Sequence, residues 1–356
     1  MIVDEQIRNE FTYSDILVGN LEGPETDSEN RIDKAGPSLR QTLGTIKFLA
    51  KLGFNYLALA NNHIMDYGKK GLIDTINLCK KNNISYSGVG DTLIKSLQPV
   101  RIIKNNIRIS IFSFAETEFG AASQNNIGYA PIQRLEIDNV IKNEKKISDF
   151  IIVCAHGGIE EVPLPNNNII ERYRHLADLG VNLIIGTHPH TPQGYEKRHN
   201  CWIFYSLGNF IANSNQWSYI IKIIAQKNNV KKINIIPINI NKNKVSLIRN
   251  SDNESCNKFL KLLSSYFLRI NTFKSLYSYQ IIYLFNNRYL HYLKNIFSFY
   301  HPNRIIRLLN KAGFSFYKKE FNLSKHQQLL LLLLLSNESH RTVLENIIKT
   351  DRKELI

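Results

Sequence analysis

Four short polar segments contain the side chains of this sequence whose types and spacing could do chemistry. Each segment follows an apolar run of the kind that forms a buried strand, and the four occupy residues 19–24, 61–68, 156–160 and 186–190. Their imidazole, carboxylate and side-chain amide groups suit Mn, Fe, Zn or a similar divalent ion. Because thiolates are absent from these segments, the pattern argues against a structural zinc site.

The spacing of these segments is more informative than any single histidine. A lone imidazole beside a strand is more often a hydrogen-bonded structural residue than a ligand. Polar segments that follow successive strands, however, meet at one edge of a sheet. His188 and His190 are two residues apart, so that one turn can direct both imidazoles into a single cleft. Gly157, Gly158 and Gly186 permit close approach of the backbone to such a centre.

Alternating helical and strand patterns must position these segments. Apolar residues at three- and four-residue spacing predict helices, and short apolar runs between them predict buried strands. The predicted helices cover residues 38–52, 71–81 and 169–179. The predicted strands cover residues 54–60, 84–87, 100–103, 107–114, 150–154, 181–185, 202–206 and 219–224. This alternation predicts an α/β layered fold in which helices flank a sheet core.

Strand patterns fade near residue 250. We therefore predict one domain over residues 1–245 and a separate basic helical region over residues 250–356. Within that region, helical spacing occupies residues 256–270, 280–299, 303–311, 327–335 and 341–348, and the last two segments predict a helical pair. The leucine run at residues 329–335 is apolar on every face, so we expect it to be buried within protein or in an oligomer contact.

Composition excludes several classes of protein. The chain has 356 residues, enough for roughly two domains, and its 43% hydrophobic content excludes an intrinsically disordered chain. No apolar run approaches the roughly 18 residues of a membrane-spanning helix, and the N-terminal residues do not resemble a signal peptide. We therefore expect a protein that is cytoplasmic or peripheral to the membrane. Four cysteines far apart in the sequence indicate free thiols rather than a disulfide scaffold.

The net charge of +15 is distributed unevenly along the chain. Residues 1–220 have a net charge of −1, whereas residues 221–356 have a net charge of +16. Such asymmetry can indicate contact with an anionic surface, including peripheral attachment to an anionic membrane through the basic tail. It can also follow from A/T-rich codons, which enrich Lys, Asn, Ile, Tyr and Phe together, and we favour this second explanation. Nucleic-acid binding is not expected, because no recognised motif accompanies the charge.

Five blocks, in this order, resemble the CapA family of capsule and poly-γ-glutamate synthesis proteins. The blocks are Asn20-Leu21-Glu22, Asn61-Asn62-His63 with Asp66 and Gly68, His156-Gly157-Gly158-Ile159-Glu160, Gly186-Thr187-His188-Pro189-His190 and Tyr205-Ser206-Leu207-Gly208-Asn209-Phe210. The resemblance covers about residues 4–225. It implies a fold like that of calcineurin-type metallophosphoesterases, two divalent ions, and hydrolysis of a phosphate ester or related bond in surface-polymer synthesis. The implied partners are a phosphorylated or polymer-related substrate and the capsule-synthesis machinery.

The resemblance also implies a role for each matching residue. The implied metal ligands are Asn20, Glu22, Asn62, His156, His188 and His190. Asn20 and Glu22 stand where the superfamily usually has a bridging aspartate, and the resemblance leaves open which of the two coordinates. His63 has the position of a proton donor to the departing oxygen, although it can instead only order its own loop by hydrogen bonds. The residues expected to bind substrate or to support the site are Asn61, Asp66, Glu160, Ser206 and Asn209.

One block that the resemblance implies is not found. Members of the family have a strand that ends in Gly-Asp upstream of Asn-Leu-Glu, and residues 1–19 contain no such pair. We therefore expect the first strand and one metal ligand to be missing, either because the start lies too far downstream or because the product has drifted from the full site. Two hypotheses follow: a metal-dependent hydrolase, and a catalytically impaired binding or assembly factor of the capsule machinery.

Overall fold

The computed structural model describes residues 2–133, 135–212, 215–242, 244–267, 280 and 324–350. Contacts divide the chain into two compact units, and all the candidate site residues lie in the first. The first unit comprises Met1–Ile32 and Ser38–Leu268, and the second comprises Asp33–Pro37 and Arg269–Ile356. Within the described ranges, none of the helices combines the length and the apolar character that crossing a membrane requires.

Strands and helices alternate along most of the first unit. Its strands are β1 Ile2–Val3, β2 Val18–Asn20, β3 Tyr56–Ala58, β4 Ser85–Ser87, β5 Val89–Gly90, β6 Val100–Lys104, β7 Ile107–Ala115, β8 Gly128–Tyr129, β9 Phe150–His156, β10 Leu183–Thr187, β11 Tyr195–Arg198, β12 Cys201–Phe204, β13 Asn215–Gln226, β14 Asn229–Asn241 and β15 Lys244–Leu247. Its helices are α1 Glu5–Phe11, α2 Thr45–Lys51, α3 Gly68–Lys81, α4 Leu93–Ser96, α5 Glu136–Lys145, α6 Asn167–Asp178 and α7 Asn250–Tyr266.

A six-stranded sheet places three loops side by side. Its strand order is β11-β12-β10-β9-β7-β6, in which the four central strands are parallel and the two outer strands are antiparallel to their neighbours. The last residues of β7, β9 and β10 are direct neighbours, because Ala115 pairs with His156 and His156 pairs with Thr187. The polar segments that follow these strands therefore begin at the same edge of the sheet.

A buried apolar layer joins this sheet to the long hairpin of β13 and β14. Phe150, Leu183 and Phe204 of the sheet share one cluster with Tyr219 and Val230 of the hairpin. Helix α6 packs on strands β10, β11 and β12. A smaller parallel sheet, β2-β3-β4, provides the strands that precede the first two polar segments. This arrangement of sheets and helices confirms the α/β layered fold that the sequence predicts.

The prediction of a helix over residues 38–52 is wrong for its first half, because α2 begins only at Thr45. The carboxylate of Glu25 accepts hydrogen bonds from the backbone N–H groups of Gly44 and Ile46, at 2.5 and 2.6 Å. These bonds give the free backbone N–H groups at the start of the helix an acceptor from a distant part of the chain. Gly44 has a φ of +93°, in the left-handed region, so the helix cannot extend back through it.

In the second unit, the structure describes two helices, α8 Lys325–Ser336 and α9 Glu338–Thr350. They confirm the helical pair that the sequence predicts. The leucines of the run that are buried, as expected, are Leu330, Leu333 and Leu334. Leu332 is half exposed within the single chain, so the expectation that an oligomer contact covers this face of the run stays a prediction.

Helix α7 packs on β11 and β14 and belongs to the first unit. It corresponds to the helix predicted at residues 256–270, of which residues 268–270 lie outside the described part of the chain. The helices predicted at residues 280–299 and 303–311 also lie outside it, apart from Gln280. The four cysteines are free thiols, three of them buried, as the sequence indicates.

Candidate metal centre

The last residue of β9 and the loops after β3 and β10 bring three polar side chains into contact. Nε2 of His156 lies 3.0 Å from Oδ1 of Asn62 and 3.1 Å from Nδ1 of His188. All three side chains are buried. Because the three residues follow different strands, the fold rather than the local sequence brings them together. Two imidazoles and an amide oxygen form a donor set that divalent transition-metal ions accept.

Burial keeps the imidazole of His156 neutral. Its pKa is well below the ordinary value, first because burial penalises the charged form and then because His188, His190 and His63 add unfavourable positive charge nearby. Its other ring nitrogen, Nδ1, lies 3.1 Å from Oγ1 of Thr187, which orients the ring. The neutral imidazole is the form that binds metal ions.

Two oxygens of the first polar segment, Oδ1 of Asn20 and Oε1 of Glu22, are buried without a hydrogen-bond partner. Oε1 of Glu22 lies 3.5 Å from Nε2 of His190 and 4.0 Å from Nε2 of His156. Burial raises the pKa of Glu22, and His190 and His63 oppose part of that rise. An unsatisfied buried polar group costs about 1–3 kcal/mol. A divalent ion fits beside Glu22, because it would give that buried oxygen a partner.

The second histidine of the turn, His190, is held by Asn209. Nδ1 of His190 lies 2.9 Å from Oδ1 of Asn209, so the imidazole donates from Nδ1. Burial lowers the pKa of His190, but Glu22 and the hydrogen bond with Asn209 outweigh it and raise the pKa above its ordinary value. Ser206 accepts a hydrogen bond from the backbone N–H of Gly208 at 3.2 Å, so its hydroxyl closes a turn.

Another buried imidazole, that of His63, is held by a carboxylate. Nδ1 of His63 lies 2.7 Å from Oδ2 of Asp66, and the same oxygen accepts a hydrogen bond from the backbone N–H of Leu39 at 2.7 Å. Asn61 has a different position, since its Oδ1 accepts from the backbone N–H groups of Gly23 and His63 at 3.1 and 3.2 Å. Asn61 therefore joins the first two polar segments, whereas Asp66 orients the ring of His63.

Two groups of candidate ligands overlap at His188. Ligand atoms of Glu22, His156 and His188 lie within 4.8 Å of one another, and so do those of Glu160, His188 and His190. At a metal–ligand distance of about 2.1 Å, two ligands of one ion are at most about 4.2 Å apart. Small side-chain movements would therefore bring either group to coordination distance.

Two carboxylates at the end of β7 were missed by the sequence analysis. Oε2 of Glu118 accepts a hydrogen bond from Nδ2 of Asn62 at 3.3 Å, which fixes the orientation of that amide. Oε2 of Glu116 accepts from the backbone N–H of Gly158 at 2.8 Å. Both residues directly follow a predicted strand, over residues 107–114, so the rule that found the other segments would have found them too.

The turn that carries the histidine pair has an unusual backbone. His188 and His190 have φ values of 97° and 57°, in the left-handed region that residues with side chains rarely adopt. At Gly186, a Cβ atom would lie only 1.9 Å from the carbonyl oxygen of Tyr205, so no other residue fits there. Backbone strain of this kind concentrates at functional sites.

The candidate centre lies in a part of the chain that matches a known family. Residues 2–214 match the model of the bacterial capsule synthesis protein family PGA_cap. The PGA biosynthesis protein CapA of Bacillus subtilis is 31% identical over 240 residues, which cover 65% of this chain and 63% of the relative. The capsule biosynthesis protein CapA of Bacillus anthracis is 28% identical over 241 residues, which cover 64% of this chain and 58% of the relative.

These matches span about three fifths of the length of the curated relatives. Among solved structures, the 5'-nucleotidase of Candida albicans is similar over 55% of this chain and 38% of its own, with 14% sequence identity and a TM-score of 0.37. The family model, in contrast, covers more than half of the chain and includes every candidate site residue. The chain therefore belongs to the bacterial capsule synthesis protein family PGA_cap, in agreement with the predicted resemblance to CapA proteins.

Proposed function

We propose that this protein is a divalent-metal-dependent hydrolase of a phosphate ester or a related bond, and that it acts in the synthesis of a capsule or another surface polymer. The names of the two Bacillus relatives, a PGA biosynthesis protein and a capsule biosynthesis protein, support the polymer context. The observation that carries the chemistry is the pair of buried oxygens on Asn20 and Glu22 that lack hydrogen-bond partners, in a fold unit that also buries neutral His156.

Side chains from all four polar segments would hold the ions. The proposed ligands are Asn20, Glu22, Asn62, His156, His188 and His190. When bound, divalent ions activate water as a nucleophile and neutralise charge on a phosphoryl group. The protein keeps His156 neutral, fixes the ring of His190 through Asn209, and buries Asn62, His156 and His188 away from bulk water.

His63 is the proposed proton donor to the departing oxygen. Asp66 accepts a hydrogen bond from Nδ1 of His63 and orients the ring, so that Nε2 is the atom that gives a proton to substrate. The backbone N–H of Leu39 bonds to the same carboxylate oxygen and restrains it. Asp66 is thus a positioning residue for His63 rather than a metal ligand.

A second candidate function is a non-enzymatic assembly factor of the capsule machinery. A relative from Mycobacterium tuberculosis, 26% identical over 215 residues, is named a probable polyglutamine synthesis accessory protein. In this case, bound ions would hold the four polar loops in the shape that a partner recognises, and no bond would be cleaved.

Two histidine variants separate these functions. For a hydrolase, we expect Mn²⁺-loaded protein to cleave p-nitrophenyl phosphate. His63→Asn should keep its Mn²⁺ but lose about 100-fold or more in kcat, because the proton donor is gone. His156→Ala should lose both metal and activity. His175→Ala is the control, because it removes an exposed histidine paired with Asp138 on the surface.

The assembly factor makes the opposite prediction for His63. Capsule formation would then depend on His156 but not on His63, and folded, Mn²⁺-loaded protein would cleave no aryl phosphate. Unchanged turnover in His63→Asn would contradict the assigned proton donor.

A further inference from the structure

We propose that Arg31 and Arg40 bind an anionic group on the departing part of the substrate, on the side of the site where His63 lies. The inference rests on the hydrolase proposed above, and it gives that site a substrate class, in which the leaving group carries carboxylate or phosphate groups of its own. A guanidinium group can bind either anion through two parallel hydrogen bonds. Both arginines lie outside the four polar segments.

Both guanidinium groups lie over the ring of Tyr67. Cζ of Arg40 is 5.2 Å from the centroid of the ring, and Cζ of Arg31 is 6.0 Å from it. The tyrosine is buried, whereas both arginines are exposed. Tyr67 directly follows Asp66, the residue that orients His63. Two positive charges are therefore held against the polar segment that carries the proposed proton donor.

Backbone hydrogen bonds attach the neighbours of both arginines to Asp66. Ile32, the residue after Arg31, donates its N–H to the carbonyl of Asp66 at 3.0 Å. Leu39, the residue before Arg40, donates its N–H to Oδ2 of Asp66 at 2.7 Å. Each arginine is thus one residue away from a hydrogen bond to the group that positions the proton donor, and this proximity places both of them beside the departing part of the substrate.

The backbone on the other side of Arg40 is joined to the first polar segment. The N–H of Gln41 donates to the carbonyl of Pro24 at 2.8 Å, and Nε2 of Gln41 donates to the carbonyl of Glu22 at 2.5 Å. Arg40 therefore lies between two residues that are hydrogen-bonded to two different polar segments. A binding side chain whose backbone is already fixed loses less freedom when its ligand arrives.

The present contacts of the two guanidinium groups leave N–H donors for a ligand. Arg40 pairs with Glu29 at 2.9 Å and donates from Nη1 to the carbonyl of Ser28 at 2.8 Å. Because the side chain of Glu29 is exposed, this ion pair is weak and an anionic ligand can displace it. Arg31 has no carboxylate partner within the described part of the chain. Both arginines are therefore available to an anion.

Hydrolysis of three phosphotyrosine peptides by the full, Mn²⁺-loaded chain tests this site. The peptides have equal length and differ in the tail attached to the departing tyrosine, which carries glutamates, a non-hydrolysable phosphonate or glutamines. We expect wild-type protein to favour the acidic tails over the neutral tail by about 10-fold in kcat/KM, mainly through KM, because the arginines bind the tail before and during the reaction. Added salt should reduce this ratio, since it screens exposed charges.

Variants of the two arginines should change the ratio of kcat/KM values. In the double variant Arg31→Gln with Arg40→Gln, the ratio should fall to about one. The double variant Arg31→Lys with Arg40→Lys keeps both charges but loses the two parallel hydrogen bonds, so it should keep part of the preference. Arg198→Gln is the matched control, because it removes an exposed arginine, paired with Asp178, at the end of the sheet away from the polar segments.

A ratio near one in wild-type protein, or the same ratio in wild type and in the glutamine double variant, would overturn the site. A preference for only one of the two acidic tails would support the site and identify its anion as carboxylate or phosphate. Urea unfolding checks that the variants are folded, and Arg31→Gln alone, which removes no ion pair of the described residues, repeats the test if the double variant is not.

A binding measurement separates failure of this site from failure of the hydrolase. If no peptide is hydrolysed, the hydrolase is contradicted, and fluorescence anisotropy of a labelled glutamate peptide without phosphate tests the arginines by themselves. We expect this peptide to bind the glutamine double variant about 10-fold more weakly than wild type. Equal binding to both proteins would overturn the anion site as well.

Discussion

Two carboxylates near opposite ends of the strands of the six-stranded sheet differ in how they are satisfied: Glu144, on α5, and Glu22, whose Oε1 is buried beside His156 at the end of β9. Glu144, near the start of β7, accepts hydrogen bonds from Nε and Nη2 of Arg101, both at 2.7 Å, and from Oγ of Ser110 at 2.6 Å and Ser148 at 3.0 Å. Burial tends to raise the pKa of Glu144, but these bonds lower it overall. Glu22 has a buried oxygen without a partner and a raised pKa.

The difference separates a carboxylate that stabilises the fold from one that, in the proposed function, binds a metal ion. A buried polar group with every partner in place fixes its neighbours, whereas one without partners costs free energy that binding can recover. Glu144 therefore contributes to the stability of the unit, and we expect Glu22 to contribute to metal binding instead. In the metal-free protein, substitution of Glu144 should therefore lower the free energy of unfolding, whereas substitution of Glu22 should raise it.

The largest expected effect is at Glu22. Glu22→Gln should lower Mn²⁺ affinity by about 100-fold, because it removes the negative charge of a proposed ligand. In EDTA, the same variant should be about 1 kcal/mol more stable than wild type, because the charge on a buried oxygen without a hydrogen bond is gone. Calorimetric titration and urea unfolding measure the two effects. A less stable metal-free variant would show that Glu22 is a structural carboxylate like Glu144.

At the opposite end of the strands, Glu144→Ala should lower the free energy of unfolding by about 2 kcal/mol, because the buried hydroxyls of Ser110 and Ser148 lose an acceptor. Mn²⁺ affinity should stay unchanged. Glu144 lies on α5. Glu136→Ala, which removes an exposed carboxylate from the first turn of α5, is the control for urea unfolding. Loss of metal binding in Glu144→Ala would contradict the distinction between a structural carboxylate at Glu144 and a metal-binding one at Glu22.

The contribution of Glu144 to the free energy of unfolding should also depend on pH. Because its pKa in the folded protein is below the ordinary 4.5, its ionised form stabilises the fold above about pH 4.5. This contribution is lost as the pH falls through the lowered value. The stability difference between wild type and Glu144→Gln should thus be full at pH 7 and shrink below about pH 4.5. Urea unfolding at pH 7, 5, 4 and 3 measures it, and a difference that grows on acidification would contradict it.

The smallest effect is expected at Glu118. Its carboxylate holds Nδ2 of Asn62, so that Oδ1 points to His156. Glu118→Ala frees this amide to rotate and should lower Mn²⁺ affinity by about 10-fold, with little change in stability. Glu118→Gln offers an amide oxygen to the same N–H and should restore most of the affinity. Equal affinity in all three proteins would remove Glu118 from the positioning residues.

The positions of the polar segments could be predicted from sequence because strand ends in an α/β fold converge. His156 ends β9 and pairs with Thr187 at the end of the adjacent strand β10, so that His188, the next residue, lies against His156. The start of α2 could not be predicted, because the Glu25 carboxylate that bonds to its first N–H groups lies about 20 residues upstream and no local pattern records that pairing.

The different contacts of the neighbouring amides Asn61 and Asn62 could not be predicted from the sequence either. Asn61 and Asn62 are identical in type, yet Asn61 bonds to backbone groups and Asn62 lies against His156. Only the direction of each side chain separates them, and it depends on where the first polar segment lies. The unpartnered oxygens of Asn20 and Glu22 are likewise a property of the packed structure alone.

The left-handed backbone at His188 and His190 sets two selection pressures against each other. Glycine at either position would relieve the backbone and favour a more stable protein, while the imidazole would be lost. A library randomised at both positions and sorted for thermal tolerance should therefore enrich glycine, whereas the same library sorted for metal retention should return histidine. At this turn, we expect thermal stability and metal retention to favour different residues.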